Sequence, residues 1–263
     1  MGEHIGVRSN ITYGKVIKKR IVAQSHWDGG YENLALAPAT ANDPIRRMLG
    51  AILPHASLSC LELGCYPGRY LSVLGGLGYE LHGVDLTPMV DIKLPIWLSA
   101  QGFKVGSFER ADVFEFDPDR KFDVVCSFGL IEHFANWYDL FVRHAELVQP
   151  GGYLVVTTPN FRSLVQHALH LALDGVNLKR HNLEAMVPLR WRELAEDLGF
   201  EVIQCGGIGR FEFWADHQPR NIAQKGLLWG VRKTRPLWNI VPEGTLSMAP
   251  YYAIVARRKA QGM

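Results

Sequence analysis

Two glycines and an aspartate are spaced in this chain as they would be around a bound nucleoside. Gly64 follows a short apolar run that predicts a buried strand, and Gly68 stands where the next helix should begin. Such a turn directs backbone N–H groups and a helix dipole over the carboxyl edge of a parallel sheet. Asp85 ends the next predicted strand, where a carboxylate can accept hydrogen bonds from both hydroxyls of an adenosine ribose. The alternative for Asp85 is a turn or N-cap residue, and the context favours the ribose.

The elements that would position these residues alternate along the chain from about residue 57. Short apolar runs of strand character alternate with amphipathic runs of helical spacing, which predicts a mostly parallel sheet covered on both faces. The predicted strands are Ser59–Leu63, Glu80–Val84, Phe108–Val113, Phe122–Phe128, Tyr153–Thr158, Glu201–Cys205 and Tyr251–Ala256. The predicted helices are Arg69–Leu77, Ile92–Gln101, Trp137–Val148 and Trp191–Leu198. We expect Gln149–Gly152 to stop the third of these helices.

Three stretches fall outside this alternation: residues 1–45, about 160–188 and about 207–249. Long connections in a compact domain are more often lids or binding surfaces than idle loops. The third stretch is rich in aromatic side chains: Phe211, Phe213, Trp214, Trp229 and Trp238. The alternative is a structural cap that covers an exposed edge of the sheet, and the two roles are compatible.

Composition narrows the class of protein. The chain has 263 residues, of which 48% are hydrophobic and 21% charged, with a formal net charge of +2. These values exclude a disordered chain, and the charge is too small to indicate nucleic acid as a partner. The four cysteines form no CxxC pair and have no histidine at ligand spacing, so we predict reduced thiols and no metal site. No signal-peptide pattern or membrane-spanning apolar stretch is present, which predicts a cytoplasmic protein.

Four features taken together resemble the class I S-adenosylmethionine-dependent methyltransferases, of the type that acts on small molecules and saccharides: Gly64–Gly68, Asp85, Asp112 and Phe122–His133. The resemblance covers roughly residues 57–158, with weaker support at 189–205 and 251–256. It implies a Rossmann-like α/β fold with a mostly parallel seven-stranded sheet, helices on both faces and cap or lid insertions.

The same resemblance implies a domain organisation and excludes a competitor. Residues 1–45 would form an N-terminal helical cap, and 46–263 the methyltransferase domain, with the two later insertions as a substrate lid. A nicotinamide dehydrogenase is the competing interpretation of the glycine turn. It would carry a third glycine where this chain has Leu71, so we favour the methyltransferase.

The resemblance also implies S-adenosylmethionine as the cofactor and S-adenosylhomocysteine as the product. The residues expected to contact the cofactor are Glu62, Gly64, Cys65, Tyr66, Gly68, Asp85, Leu86, Asp112, Val113, Ser127 and Gly129. Glu62, Gly64 and Gly68 would form the loop under the methionine part, residues 127–130 would line its amino-acid group, and Asp85 would hold the ribose. Asp112 would meet the exocyclic amine of adenine. The chain departs from the family at Tyr66, where the loop usually has glycine.

Methyl transfer from a sulfonium is an in-line displacement, for which the protein supplies alignment, dry surroundings and sometimes a base. Glu132 and His133 follow the fourth predicted strand and would lie beside the methyl group, so they are our candidate catalytic residues. His133 could be the base for a hydroxyl nucleophile, because its ordinary pKa lies near working pH. Alternatively, the pair shapes the pocket and bonds to backbone.

Five further residues are candidates for contact with the acceptor: His26, Trp27, Tyr31, Asn160 and His181. The first three lie in a segment that closes over the cofactor in relatives, with a packed helix as the alternative. Asn160 follows the fifth strand and also fits a turn. His181 lies in the 160–188 insertion, where isolated polar residues more often belong to the surface.

The acceptor class is the least determined property. Basic residues cluster at Lys15, Lys18, Lys19, Arg20, Arg220, Lys225, Arg232, Lys233 and Arg235. Solvated faces explain such runs in most cases, but convergence on the pocket would favour an anionic or glycan-like acceptor. We expect O-methylation of a small molecule or saccharide. N-methylation of a small amine, a non-catalytic cofactor-binding partner module and another adenosine chemistry on the same fold stay open, as does the oligomeric state.

Overall fold

A seven-stranded sheet organises the chain. The computed structural model describes residues 20–32, 34–216, 221–238 and 240–260. Lys15, Lys18, Lys19 and Arg220, together with the first 19 residues of the predicted N-terminal cap, lie outside the described residues. The strands, numbered β1 to β7 in chain order, are Ser59–Leu63, Glu80–Asp85, Val105–Arg110, Phe122–Phe128, Val148–Pro159, Phe200–Ile208 and Tyr251–Arg258.

The strand order is β3-β2-β1-β4-β5-β7-β6. The first five strands pair in parallel, whereas β7 runs antiparallel between β5 and β6. From β1 the chain continues to β2 and β3 on one side of β1, and then returns to form β4 and β5 on the other side. In such a sheet, ligands bind at the carboxyl ends of the two strands where the order reverses, here β1 and β4. The topology therefore confirms the predicted Rossmann-like, mostly parallel seven-stranded sheet.

Ten α-helices are described, numbered α1 to α10: Gln24–Tyr31, Pro44–Ile52, Leu71–Gly76, Lys93–Ser99, Trp137–Leu147, Leu164–Leu173, Gly175–Leu178, Pro188–Asp197, Ile222–Lys233 and Arg235–Trp238. The sheet has an apolar core on each face, and different helices pack into each core. One core contains residues of α5 and α8, and the other contains residues of α2, α3 and α4. Along β5, Leu154 and Val156 face the first core and Val155 the second, because alternate side chains of a strand point to opposite faces.

Two predicted boundaries were wrong. We expected a strand over Phe108–Val113, but β3 is Val105–Arg110, so Asp112 lies in the following turn. The strand is at the edge of the sheet and none of its side chains is buried, which weakens the apolar pattern. Gln149–Gly152 does follow the end of α5, but it belongs to β5, at an irregularity in the pairing with β4.

The two later insertions are partly helical. Residues 160–188 contain α6, α7 and a 3-10 turn at Leu183–Ala185, and residues 207–249 contain α9 and α10. No side chain of α9 is buried. Within the described residues, no helix is both long enough and apolar enough to cross a membrane.

Candidate active site at the carboxyl edge of the sheet

Two cavities open side by side where the parallel strands end. The first, here called the cofactor cavity, has a volume of about 260 Å³. Its walls come from the turns after β1, β2, β3 and β4 and from the segment that includes α1. The residues that line it are Arg20, Val22, Gln24, Trp27, Tyr31, Gly64, Tyr66, Pro67, Asp85, Leu86, Ala111, Val113, Phe128, Gly129, Leu130, His133 and Phe134.

Asp85 joins the glycine turn to the wall of the cofactor cavity. Its Oδ2 accepts a hydrogen bond from the backbone N–H of Tyr66 at 3.1 Å, and its Oδ1 accepts one from the N–H of Thr87 at 3.0 Å. Burial raises the pKa of this carboxyl, while these N–H donors oppose the rise. A carboxylate has about four lone-pair directions, so Asp85 can hold its own loop and still accept hydrogen bonds from a ligand.

The turn after β1 brings the backbone close to neighbouring side chains. Gly64 has φ +68°, and a Cβ there would stand 2.6 Å from Cδ1 of Leu130. Tyr66, which replaces the family glycine, is buried against the core of the α3 and α4 face. Its ring meets that of Tyr31 edge-to-face at 4.8 Å. Tyr66 therefore forms part of the cavity wall.

The N-terminal segment crosses the cavity. Ile21 donates its N–H to the carbonyl of His133 at 2.9 Å. Nη2 of Arg20 lies 2.6 Å from Oδ2 of Asp112, whose other oxygen accepts from the N–H of Phe114. Asp112, expected to meet adenine, thus forms an ion pair in this structure, and Arg20 lies on the cavity wall in its place. Val113 lines the cavity as expected.

Five predicted cofactor contacts lie behind the cavity wall: Glu62, Cys65, Gly68, Asp112 and Ser127. Oε2 of Glu62 and Oγ of Ser127 are buried and have no hydrogen-bond partner among the described residues. Burial, and then the charge of Asp85, raises the pKa of Glu62 well above its ordinary value. Gly68 has φ +78°, and a Cβ there would come within 2.3 Å of Leu94. The contacts assigned to these five residues stay predictions.

The second cavity, here called the acceptor cavity, has a volume of about 290 Å³. It is bounded by the ends of β4 and β5 and by both insertions. The residues that line it are Trp27, Ile45, Tyr70, Phe128, Gly129, Glu132, His133, Thr157, Thr158, Pro159, Asn177, His181, Trp214, Asp216 and Tyr251. Four residues line both cavities: Trp27, Phe128, Gly129 and His133.

Glu132, His133 and His181 meet at the floor of the acceptor cavity. The rings of His133 and His181 have their centroids 4.6 Å apart, and Nε2 of His133 lies 4.0 Å from Oε1 of Glu132. Burial raises the pKa of Glu132 to about 8. Burial, and then the proximity of His181, lowers the pKa of His133 to about 3, and burial lowers that of His181 to about 4. Sequence reasoning named all three residues but did not predict their contact.

Two predicted acceptor contacts lie outside both cavities. His26 is exposed and packs its ring against Trp27. The side chain of Asn160 is fully buried, and its amide donates to the carbonyls of Leu246 and Ala249 at 3.1 and 2.8 Å. A buried amide must use its donors. These two hydrogen bonds connect the end of β5 to the insertion at 207–249, here called the second insertion. The acceptor contacts assigned to His26 and Asn160 stay predictions, whereas Trp27 and Tyr31 line the cofactor cavity.

Sequence reasoning missed several lining residues. Thr157 belongs to the fifth predicted strand, and its position near the carboxyl end was the available signal. Asn177, Asp216 and Tyr251 gave no local signal, because they reach the cavity through packing of distant segments. Trp214 was singled out only as one of five aromatic residues in its insertion.

Comparison with known proteins identifies the family to which this chain is similar. The family model described as a methyltransferase domain matches residues 34–205. The ubiquinone biosynthesis O-methyltransferase of Chelativorans sp. is 30% identical over 184 residues, which cover 64% of this chain and 69% of that protein. The enzyme of the same name from Thiobacillus denitrificans is 26% identical over 155 residues, which cover 58% and 65%. The chain thus spans about two thirds of the length of these relatives.

Solved structures share the fold at lower identity. Magnesium protoporphyrin IX methyltransferase from Synechocystis, solved with bound S-adenosylhomocysteine, has a TM-score of 0.53 at 13% identity and matches 82% of this chain and 80% of that one. A S-adenosylmethionine-dependent methyltransferase from Archaeoglobus fulgidus has a TM-score of 0.51 at 21% identity, matching 81% and 93%. With the family match over most of the chain, these findings place the protein in the family of class I S-adenosylmethionine-dependent methyltransferases, whose cofactor is S-adenosylmethionine.

Proposed function

We propose that this protein transfers a methyl group from S-adenosylmethionine to a hydroxyl oxygen of a small, ring-shaped acceptor. The observation that carries the proposal is the shared wall of the two cavities, formed by Trp27, Phe128, Gly129 and His133. An in-line displacement requires donor and acceptor to meet end to end without solvent between them. Two adjoining cavities with common lining residues supply that arrangement.

The cofactor cavity has donors and acceptors that fit S-adenosylmethionine. Asp85 would accept hydrogen bonds from the ribose hydroxyls, and Leu86, Ala111, Val113 and Phe134 would give adenine an apolar setting. A deeper contact is proposed for Glu62, whose Oε2 is buried with no partner in the described part of the chain and could receive the ammonium group of the methionine part. When bound, the cofactor supplies an electrophilic methyl group, and the protein aligns it.

The lining of the acceptor cavity favours a neutral ring. Trp27, Tyr70, Phe128, Trp214 and Tyr251 offer aromatic faces, which suit a planar or sugar ring. Its described lining residues include two carboxylates, Glu132 and Asp216, and no lysine or arginine. Arg20 is paired with Asp112, and Arg235 lies 3.4 Å from Glu212. We therefore propose a polyhydroxylated aromatic or saccharide acceptor, and the lining gives no support to an anionic one.

Glu132 and His133 are proposed to act on the reacting hydroxyl. A carbonyl oxygen can only accept, so the 3.1 Å contact between Nδ1 of His133 and the carbonyl of Arg180 requires the proton on Nδ1. Nε2 of His133 then presents a lone pair towards Glu132. Nε2 would face the reacting hydroxyl and assist its ionisation, while burial, which lowers the pKa of His133 to about 3, makes this side chain a weak base on its own.

The names of the relatives support oxygen as the nucleophile, because both are O-methyltransferases. We further propose that the segments 160–188 and 207–249 act as the substrate lid, since Asn177, His181, Trp214 and Asp216 lie on the acceptor cavity. The N-terminal cap would close the cofactor side through Trp27 and Tyr31. We also propose a cytoplasmic location for the enzyme.

The test is calorimetric titration with S-adenosylhomocysteine, with NADH as the control ligand, followed by screening of phenols and sugars for its release from S-adenosylmethionine. Micromolar binding and acceptor-dependent release are expected. Binding without release for any hydroxylated acceptor would favour the non-catalytic partner module, and release with amines alone would favour N-methylation.

A further inference from the structure

We infer that Glu132, His133 and His181 form a binding site for a divalent transition-metal ion, which holds the acceptor through its oxygen atoms. One carboxylate oxygen of Glu132 and one ring nitrogen of each histidine lie within 4.8 Å of one another. The acceptor part of this inference rests on the proposed function, whereas the ion site stands on the side chains alone.

A hydrogen bond to a backbone carbonyl fixes the orientation of each histidine ring. Nδ1 of His133 lies 3.1 Å from the carbonyl oxygen of Arg180, and Nδ1 of His181 lies 2.8 Å from that of Asn177. Each carbonyl can only accept, so each Nδ1 carries the proton and each Nε2 carries a lone pair. A histidine that binds a metal characteristically donates its other N–H to a carbonyl in this way.

Glu132 supplies the independent observation. Its side chain is 1% exposed, and neither carboxylate oxygen has a hydrogen-bond partner among the described residues. A buried carboxylate without donors is costly. No lysine or arginine lines the acceptor cavity in the part of the chain that the structure describes, so a bound cation would satisfy this group.

The donor set indicates the class of ion. Two imidazoles and one carboxylate are ligands of Zn²⁺ in catalytic sites and of other transition metals that keep open positions. Ligand atoms about 2.1 Å from one ion stand roughly 3.4 Å apart in a tetrahedral site. Side-chain movements of about an ångström would bring the three ligand atoms from their present spacing, within 4.8 Å of one another, to that distance. Three protein ligands leave one or more positions for the acceptor.

The open positions face the acceptor cavity, because Glu132, His133 and His181 all line it. A ring with adjacent hydroxyls could bind the ion through one or two oxygens. A divalent ion favours the ionised form of a bound hydroxyl, whose proton leaves to solvent. His133 is also part of the cofactor cavity, so the ionised oxygen would lie on the side from which the methyl group arrives.

The sequence alone predicted no metal site, because the search for ligands began from the cysteines. Glu132 and His133 are adjacent in sequence, but His181 comes from an insertion and is brought to them by packing. Asn182 donates its N–H to the carbonyl of Glu132 at 2.7 Å and its side-chain amide to that of Phe134 at 3.0 Å. These two bonds fix the position of His181 beside the pair.

The test is titration of the metal-stripped 263-residue chain with Co²⁺, followed by visible absorption, and then competition with Zn²⁺. We expect one Co²⁺ per chain, with the ligand-field bands of a site with few ligands, displaced by Zn²⁺. Glu132→Gln and His181→Gln should each weaken Co²⁺ binding by more than about 100-fold, since loss of an outer partner alone costs about 10- to 100-fold. His167→Gln is the matched control, because its Nδ1 also lies 3.0 Å from a backbone carbonyl, that of Phe161.

Weak Co²⁺ binding by the native chain, or equal binding by His167→Gln, Glu132→Gln and His181→Gln, would overturn the ion site. Circular dichroism checks that the variants fold, and either cluster variant alone suffices. S-adenosylhomocysteine is titrated into the same samples. If it fails to bind, the proposed function falls and the Co²⁺ result still stands or falls separately. If the stripped protein with chelator methylates an acceptor at the full rate, the proposed function holds and the ion's role towards the acceptor is wrong.

Discussion

The cofactor cavity and the acceptor cavity lie side by side but are built in different ways. Most of the cofactor cavity comes from strand ends between Gly64 and Phe134, in one continuous stretch of the chain. The acceptor cavity collects side chains from as far apart as Trp27 and Tyr251. On the proposed function, the cofactor is bound by the strand ends of the sheet itself. Acceptor choice would then depend on insertions that can change without disturbing the sheet.

The largest effect should come from the residues that face the reacting oxygen. Glu132→Gln and His133→Gln are expected to lower kcat by about 10²- to 10⁴-fold, the usual range for loss of a group that assists proton removal. Affinity for S-adenosylhomocysteine should change less than about threefold in Glu132→Gln, because Glu132 lines only the acceptor cavity. Steady-state kinetics and calorimetry on the same samples measure the two quantities.

Glu193→Gln is the control for that experiment, because Glu193 is an exposed glutamate on α8. It should keep the kinetic constants of the native chain. An equal fall in kcat and in S-adenosylhomocysteine affinity in Glu132→Gln would mean that the two cavities do not work as separate sites.

The next largest effect should be confined to the cofactor cavity. Asp85→Ala is expected to weaken S-adenosylhomocysteine binding by about 10- to 100-fold, since lost hydrogen bonds to a charged group cost roughly 1.5–3 kcal/mol. The loss includes the support that Asp85 gives to the N–H groups of Tyr66 and Thr87. Calorimetry gives the dissociation constants.

Asp91→Ala provides the comparison, because Asp91 is an exposed aspartate shortly after β2. If Asp85→Ala bound S-adenosylhomocysteine as tightly as the native chain, the proposed contact between Asp85 and the ribose would be wrong. A thermal melt of both variants separates loss of the contact from loss of the fold.

The sequence predicted the cofactor cavity better than the acceptor cavity. Asp85 and Gly64 were found because a strand, a turn and a helix read in order place them at the carboxyl edge. Asp112 was singled out near the end of the third predicted strand, but its place in the turn after β3 and its pairing with Arg20 were not predicted, because the pairing depends on where the N-terminal segment runs. The strand pattern therefore predicted positions, while the partners of the side chains depended on long-range packing.

The acceptor cavity was predicted less well for a physical reason. His181 and Trp214 lie in insertions whose paths are fixed by buried hydrogen bonds, such as those from Asn160 and Asn182. Such bonds leave no periodic pattern in the sequence. The same bonds explain why Asn160 looked like a substrate contact: a polar residue after a strand has the same signature whether it faces a ligand or closes a loop.

A smaller effect should separate two tryptophans of the second insertion. Trp214→Ala is expected to raise KM for the acceptor by about tenfold, because its ring lines only the acceptor cavity and packs against Phe161 at 5.4 Å. KM for S-adenosylmethionine should not change. Trp229, which is 64% exposed on α9, is the matched control. Equal effects of Trp214→Ala and Trp229→Ala would show that the insertion does not recognise the acceptor through this ring.

The smallest effect should reach both cavities alike, through the helix that supports them. His144 of α5 is fully buried, and burial lowers its pKa to about 4. In the unfolded chain this side chain titrates near pH 6.5, so between pH 4 and 6.5 the unfolded chain binds more protons than the folded chain. The free energy of unfolding therefore falls as pH falls through this window, by about 1 kcal/mol between pH 7 and 5.5 from this residue alone.

His144→Leu removes that contribution, and urea titrations of both proteins across the window should show a shallower pH dependence in the variant. Its two KM values should rise or hold together, since α5 packs on β4 and β5, whose ends serve both cavities. Identical pH dependence in the two proteins would mean that His144 accepts its proton in the folded state at little cost.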